Sequence, residues 1–311
     1  PMQQGGGNDG RPYSFGRPSS GGSKAAYPCK SYGQGRINPA YFYGVFDPND
    51  MRRDVSITMT GSNGKGVEKL IPFVPNSKAE GGGLTLNKWD ENRQANPWVA
   101  AQRKSGINGP YMRMSEVYLG YAEVCAALGD VVTGKQYLKT VRERSFPQGL
   151  ANTDAFIASF GNDLVRAIIE ERGFEYAGEG DRRWTLIRSG YLPEDIKRIK
   201  DMTKAMMDGL ATKGYYEFEN GNIISAYIWT KLVDAKTIYG HRLTAQCPTD
   251  KVNDPVLYPG WRGQKDNWEE MGLNYGSSTP ATNLAIKGLF EIVSEEEAAS
   301  LESQGYAKVN W

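Results

Sequence analysis

The stretch that decides the fold spans residues 164–188 and reads LVRAIIEERGFEYAGEGDRRWTLIR. Between Leu164 and Tyr176 the apolar residues recur at helical spacing, with Arg172 and Glu175 on the same side. A second helix is predicted over Asp181–Arg188. The stretch therefore predicts two consecutive helices, the pairing from which helical arrays are built.

The same stretch is dense in charge. Glu171, Glu175 and Glu179 step by four, so a continuing helix places these carboxylates on one face, where they repel one another unless cations neutralise them. Two roles are open: a structural Glu–Arg network, or glycosidase acid–base chemistry, which needs carboxylates about 5 to 10 Å apart across a cleft. We favour the network, because neighbouring arginines lower carboxylate pKa values and disable a general acid. Its predicted members are Arg113, Glu116, Glu171, Arg172, Glu175, Glu179 and Arg182.

Helical periodicity continues on both sides of this stretch. One helix is predicted from Pro110 to Gly129, and a second begins near Gly134 and completes a helical hairpin. The apolar stripe of the first, predicted to be core with its tyrosines, consists of Met114, Val117, Tyr118, Tyr121, Val124, Cys125 and Leu128. A further amphipathic helix opens at Pro193. Paired helices are typical of the tetratricopeptide type, although no strict period of 34 residues is present.

The composition divides the chain into three regions. Residues 1–23 are a flexible Gly/Pro/Ser-rich segment, and residues 24–109 are predicted to be irregular and loop-rich with short strands, one of them over Val55–Thr60. Residues 110–311 hold the helical region and a C-terminal irregular part with short strands. The predicted fold class is mainly α, with tetratricopeptide-like helical pairs, an irregular loop-rich subdomain and a few short strands.

Composition also excludes several classes of function. The 311 residues carry 37 Lys and Arg against 36 Asp and Glu, a net charge of +1 that argues against a basic nucleic-acid-binding surface. The single histidine, His241, excludes metal sites that need two imidazoles, and the three cysteines form no C-x-x-C pair. Gly61–Gly66 contains Gly-Lys but lacks the Ser or Thr of a P-loop, so a surface hairpin is expected there. We predict no metal, cofactor or catalytic residue.

Several segments resemble the RagB/SusD family. They are Arg113–Val117 with Tyr121–Glu123, Tyr137–Arg142, the Glu171 to Arg188 skeleton of Glu-Arg, Glu, Glu-Gly, Arg, Leu and Arg, and the later Pro259–Gly263 and Asn283–Phe290. The resemblance covers roughly residues 40 to 311. Thr185 departs from it, since members commonly carry Asp there.

The resemblance implies a lipid-anchored, cell-surface-exposed protein of the outer membrane that binds a glycan and delivers it to a SusC-like TonB-dependent transporter in carbohydrate uptake. Family members are longer, so we expect the lipid anchor in an N-terminal segment absent from this chain. We also expect an N-terminal portion of the same precursor to pack on the helices of residues 110–210. Two alternatives stay open: a peptide-capturing homologue of the same fold, and a glycan-cleaving enzyme that uses Glu171 or Glu175.

The ligand site is predicted from position alone. Aromatic side chains stack on sugar rings, and rigid scaffolds display binding residues on irregular segments. We therefore predict Tyr41, Tyr43 and Trp89 as the stacking platform, with Asn87 and Asp90 as partners for sugar hydroxyls. The alternative is that these aromatic side chains only fix loops onto the scaffold.

Overall fold

The fold is taken from a computed structural model of the chain. It describes residues 38–58, 60–62, 68–70, 85–88, 110, 112–213, 215–225, 228–232, 238–243 and 257–258. The helices are α1 (Pro39–Val45), α2 (Arg52–Ser56), α3 (Met114–Ala127), α4 (Val131–Glu143), α5 (Thr153–Ala158), α6 (Leu164–Glu175), α7 (Asp181–Arg188) and α8 (Leu192–Lys213). The described part is mainly helical, as predicted, with helices in tetratricopeptide-like pairs.

The short strands lie in the two flanking regions. They are β1 (Ile57–Thr58), β2 (Thr60–Ser62), β3 (Glu68–Leu70), β4 (Thr85–Leu86), β5 (Tyr215–Glu217), β6 (Ile223–Ser225), β7 (Ile228–Leu232), β8 (Ile238–Leu243) and β9 (Leu257–Tyr258). All pair antiparallel: β1 with β4, β2 with β3, β5 with β6, and β7 between β8 and β9. The predicted segments Pro259–Gly263 and Asn283–Phe290 lie outside the described residues.

Helices α3 and α4 form the central hairpin. The Asp130 side chain caps α4 by accepting a hydrogen bond from the Thr133 amide, and Gly129 makes the turn at a φ of 87°. A Cβ built on Gly134 lies only 3.0 Å from the Ala122 carbonyl oxygen, so α3 and α4 approach closely through small residues. Their shared core with α5, α6 and the residue after α6 comprises Leu119, Ala122, Leu138, Val141, Ile157, Leu164, Ala167, Ile168 and Tyr176.

The apolar stripe predicted as the core face of α3 is largely on its outside. The buried residues of α3 are Ser115, Leu119, Ala122 and Cys125. Val124 is 54% exposed and Leu128 82% exposed, and Met114, Val117 and Tyr121 are about half exposed or more. The prediction that Tyr121 is core is therefore wrong, because close packing at Gly134 selects the face with small residues rather than the most apolar one. Tyr118 packs partly buried against the core.

Side-chain caps set the limits of the next helices. Asn152 accepts a hydrogen bond from the Ala155 amide at the start of α5, and Asp163 accepts one from the Arg166 amide at the start of α6. Gly180 adopts a φ of 92° directly before α7, in the left-handed region that glycine tolerates. These signals place α6 and α7 within one residue of the predicted helices, and α6 is buried along almost its whole length.

The described residues of the region 24–109 include two helices that the sequence analysis missed. Asn38 caps α1 ahead of Pro39, and Asp50 accepts a hydrogen bond from the Arg52 amide as α2 begins. Residues 52–56 are helical, so the predicted strand over Val55–Thr60 begins only at Ile57. Helix α1 packs on α8, and the turn between β5 and β6 binds the residue that follows α1: Asn220 and Asn222 donate to the Phe46 carbonyl oxygen at 2.7 Å each.

Candidate functional site

Helix α6 brings three buried glutamates into a network of ion pairs. Glu171 is fully buried; it accepts from Arg52 Nη1 at 2.6 Å through one carboxylate oxygen and from Arg142 Nη1 at 2.9 Å through the other. Arg52 also binds Asp50 through two nitrogens. Burial alone lowers the pKa of Arg52, but Glu171 and Asp50 raise it above its usual range, so this guanidinium is a permanent cation.

One turn further along α6, the Glu175 carboxylate forms ion pairs with three arginines. It accepts from Arg113 Nη1 at 2.6 Å, from Arg52 Nη1 at 3.2 Å and from Arg144 Nη2. Burial alone raises the pKa of Glu175, but the hydrogen bonds from Arg113 and Arg144 and the charges of Arg144 and Arg52 hold it at about 2. Glu175 is therefore ionised throughout the neutral range.

The turn after α6 adds Glu179 to this group. Its carboxylate accepts from Arg113 Nε at 3.0 Å and from Lys88 Nζ at 2.6 Å, and Lys88 Nζ also donates to the Glu175 carbonyl oxygen at 2.7 Å. Burial lowers the pKa of Lys88, and the Glu179 carboxylate opposes that shift. Lys88 ties the segment after β4 to the end of α6.

A second group of ion pairs lies around Glu170. This carboxylate, 1% exposed, accepts from Arg182 Nη2 at 2.9 Å and from Arg198 Nη2 at 2.8 Å, and Asp195 accepts from the same two nitrogens. Burial alone raises the pKa of Glu170, but the two arginines hold it at about 2. The group joins α6 to α7 and α8.

Arg172 turns towards α7. It donates to Asp181 at 2.6 Å and to Thr185 Oγ1 at 3.3 Å, and Thr185 in turn donates to Asp181 at 2.9 Å. Thr185, where the sequence departs from the family resemblance, thus has polar contacts with Arg172 and Asp181. The carboxylate of Glu116, 42% exposed, reaches Arg172 only at 3.9 Å.

The seven residues predicted as one network are mostly paired with residues that sequence analysis did not name. Among the seven, direct ion pairs join Arg113 to Glu175 and Glu179, and Arg172 to Glu116. Their other charged partners in the described structure are Arg52, Lys88, Arg142, Arg144, Glu170, Asp181 and Asp195. Arg52 lies 119 residues from Glu171, so no local spacing announces it.

A cleft of about 570 Å³ opens beside the Glu175 group, between α2, the end of α4 and the turn after α6. Its charged lining consists of Arg52, Lys88, Arg113, Arg144, Glu175 and Glu179. Met51 and Val55, each about half exposed, supply apolar surface at the same cleft. The cleft thus combines cations, carboxylates and an apolar wall.

Comparison with known proteins identifies the family of this chain. A model of the SusD family matches residues 2–259. The chain belongs to the SusD family. Over 160 residues it is 28% identical to a SusD-like protein from Formosa agariphila, covering 51% of this chain and 26% of that protein. It is also similar to a crystal structure of a SusD homolog from Bacteroides thetaiotaomicron, with 23% identity, a TM-score of 0.36, and coverage of 51% of this chain and 33% of that one. The chain therefore spans between a quarter and a third of the length of these SusD-type relatives.

Three of the five predicted ligand-binding side chains lie in the described part of this SusD-family chain, and all three are packed. Tyr43 is 4% exposed, with the Arg53 guanidinium 5.4 Å from its ring centre. Tyr41 meets Phe42 and Phe46 edge-on; burial raises its pKa to about 12, against the charge of Arg182. A sugar reaches the Tyr43 ring only if neighbouring side chains move, whereas Tyr41 is partly exposed, and the stacking role of both stays a prediction.

The third, Asn87, lies beside the cleft. Its side-chain nitrogen donates to the Val55 carbonyl oxygen at 3.4 Å, while its buried side-chain oxygen has no hydrogen-bond partner in the described structure. Trp89 and Asp90 lie outside the described residues. Within the part of the chain that the structure describes, no group of three or more His, Cys, Asp or Glu side chains is arranged to hold a metal ion, and no helix is long and apolar enough to cross a membrane.

Proposed function

We propose that this protein captures an oligosaccharide at the outer face of the outer membrane and delivers it, uncleaved, to a SusC-like TonB-dependent transporter. Membership of the SusD family over residues 2–259 carries this proposal. The ion-pair groups on α6 support it, since they fix α2, α3, α4, α7 and α8 around one buried helix and so provide a rigid frame for binding loops.

The frame supports binding rather than cleavage. A glycosidase needs a protonated carboxylic acid near neutral pH, and three arginines hold the pKa of Glu175 at about 2. Glu171 gives one carboxylate oxygen to Arg52 and the other to Arg142 and is fully buried, so it does not reach a solvent-borne substrate. Neither residue that the enzyme alternative would use is suited to general acid catalysis.

The ligand-binding residues we propose centre on the segment after β4. Asn87 has a buried side-chain oxygen without a partner in the described structure, which is costly, and a sugar hydroxyl reaches this oxygen only if the segment after β4 shifts. Trp89 and Asp90 follow Lys88, a cleft residue, directly in the sequence. Replacing Trp89 with alanine should lower glycan affinity at least tenfold without changing the melting temperature, whereas Tyr43→Ala should destabilise the fold.

The proposal extends to an N-terminal portion of the same precursor, which also supplies the lipid anchor. Met114, Val117, Tyr121 and Val124 expose apolar surface along one side of α3, and α4 begins with the exposed pair Val131 and Val132. Stacked helical pairs bury such faces on their neighbours. A preceding helical pair is the occupant that fits this surface.

Isothermal titration calorimetry against a panel of neutral and acidic oligosaccharides tests the proposed function. We expect saturable binding of at least one oligosaccharide and none of oligopeptides of similar length. Peptide binding alone would overturn the proposal in favour of the peptide-capturing alternative, which uses the same fold.

A further inference from the structure

The cleft beside Glu175 carries more positive than negative charge. Its lining holds four cationic side chains and two carboxylates. Behind the lining, Asp50 and Glu171 are buried against Arg52, and Arg142 is buried against Glu171. In this group of described residues five cations therefore face four carboxylates, which leaves one positive charge without a counter-ion.

The unused donors belong to Arg144 and Lys88. Arg144 donates through Nη2 to Glu175 and through Nε to the Val141 carbonyl oxygen, and in the described structure its Nη1 has no acceptor. Its side chain is 53% exposed. Lys88 uses two of its three N–H bonds, on the Glu175 carbonyl oxygen and Glu179. Both side chains contact Glu175 and line the cleft.

By contrast, no side-chain nitrogen of Arg52 or Arg113 is without a hydrogen-bond acceptor. Every side-chain nitrogen of Arg52 donates to Asp50, Glu171 or Glu175, and every one of Arg113 donates to Ser115, Glu175 or Glu179. They hold the carboxylates in place, so the unused donors at this cleft are those of Arg144 and Lys88.

We propose that this cleft binds the anionic substituent of an acidic oligosaccharide, a carboxylate or a sulfate, through Arg144 and Lys88. The inference rests on the proposed glycan-binding function and narrows its ligand class. Arginine and lysine form short, charge-assisted hydrogen bonds to such oxygens. Met51 and Val55 give the apolar face of the sugar ring a surface. An anion in the cleft also favours the charged form of Lys88, whose pKa burial lowers.

Calorimetric titration of the full chain with four probes of matched length tests the inference. The probes are trigalacturonate, a sulfated galactose oligosaccharide, a neutral galactotriose and triglutamate. We expect one acidic sugar to bind at least tenfold more tightly than the neutral one. Whichever acidic sugar binds more tightly shows whether the cleft prefers a carboxylate or a sulfate. Arg144→Gln and Lys88→Gln should each abolish most of this preference, since a hydrogen bond to a charged group accounts for about a tenfold change in affinity.

Two further variants separate charge from structure. Arg144→Lys keeps the cation and should retain part of the preference, while Lys204→Gln, on the exposed side of α8, should leave it unchanged. Each variant's melting temperature shows whether it is folded.

Equal affinity for acidic and neutral sugars, or a preference that survives both glutamine substitutions, would overturn the inference and leave the proposed function standing. Binding of triglutamate with no binding of any sugar would overturn both.

Discussion

Helices α6 and α3 pack against each other and distribute charge and apolar surface in opposite ways. Helix α6 buries Glu170, Glu171, Arg172 and Glu175, whereas α3 leaves Val117, Val124 and most of its apolar stripe exposed. Charge is buried where each group has a partner of opposite sign, and apolar surface is exposed where the described chain supplies nothing to cover it. On these two helices, burial therefore follows the available partners as well as residue hydropathy.

The two helices also suit different tasks. The paired charges of α6 join it to α2, α3, α4, α7 and α8, so this helix specifies how the others are placed. The exposed face of α3 makes no such connection in the described structure. We infer that α6 organises the scaffold and that α3 offers a contact surface. The predictions below test that division.

Low pH should cause the largest loss of folding stability. Glu170 and Glu175 have folded-state pKa values of about 2, below the ordinary value of 4.5, so each stabilises the fold fully above about pH 4.5. That stabilisation, a few kcal/mol, is lost as the pH falls through the folded-state values, because the unfolded chain binds protons first. Urea unfolding followed by circular dichroism between pH 6 and 2 should show a steep loss of stability. Arg198→Gln should move the acid midpoint upwards and Lys204→Gln should not; a flat profile contradicts the account.

Removing one buried carboxylate should cause the second-largest loss of stability. Glu171→Gln leaves Arg142, 3% exposed, without a carboxylate partner in the described structure. Breaking a buried pair in this way costs about 3 to 5 kcal/mol, measurable as the free energy of unfolding in urea. Glu116→Gln is the matched control, since its half-exposed carboxylate reaches Arg172 only at 3.9 Å, and it should cost less than about 1 kcal/mol. Equal costs for the two variants would mean that the buried charges have no special role.

The two faces of α3 should respond differently to truncation. Leu119→Ala removes a fully buried side chain from the shared core and should cost about 2 to 5 kcal/mol. Val124→Ala, on the exposed face, should change stability by no more than about 0.5 kcal/mol. Thermal unfolding of both variants measures the difference. A large cost at Val124 would show that another part of the chain covers this face.

A smaller effect is expected at Arg172. Its alanine variant removes the hydrogen bonds to Asp181 and Thr185, and hydrogen bonds to charged groups contribute about 1.5 to 3 kcal/mol. Its melting temperature should fall while the glycan affinity of the folded fraction stays unchanged, as calorimetry at a permissive temperature can show. A stable variant with lost binding would instead place Arg172 in the ligand site.

Local signals predicted the helices well, and distant contacts account for what they missed. Periodicity and turn residues located α6 and α7, because caps such as Asp163 and Gly180 act within a few residues. The Asn38–Pro39 start of α1 carries the same kind of signal, and reading it as a cap would have found that helix. The partners of Glu171 and Glu170 lie on α2, α4, α7 and α8, and no spacing within residues 164–188 identifies all of them. The exposed stripe of α3 was misassigned since hydropathy alone does not register the close approach at Gly134.

Capture without cleavage is the central claim, and native mass spectrometry tests it most directly. The full chain is incubated at pH 7 with an equimolar amount of the oligosaccharide that it binds most tightly. After several hours, the masses of the bound and the released sugars are measured. We predict a complex whose mass equals protein plus intact oligosaccharide, with the unchanged sugar recovered on denaturation. Recovery of shorter sugars, lost again in the Glu175→Gln variant, would contradict the account and make this protein an enzyme.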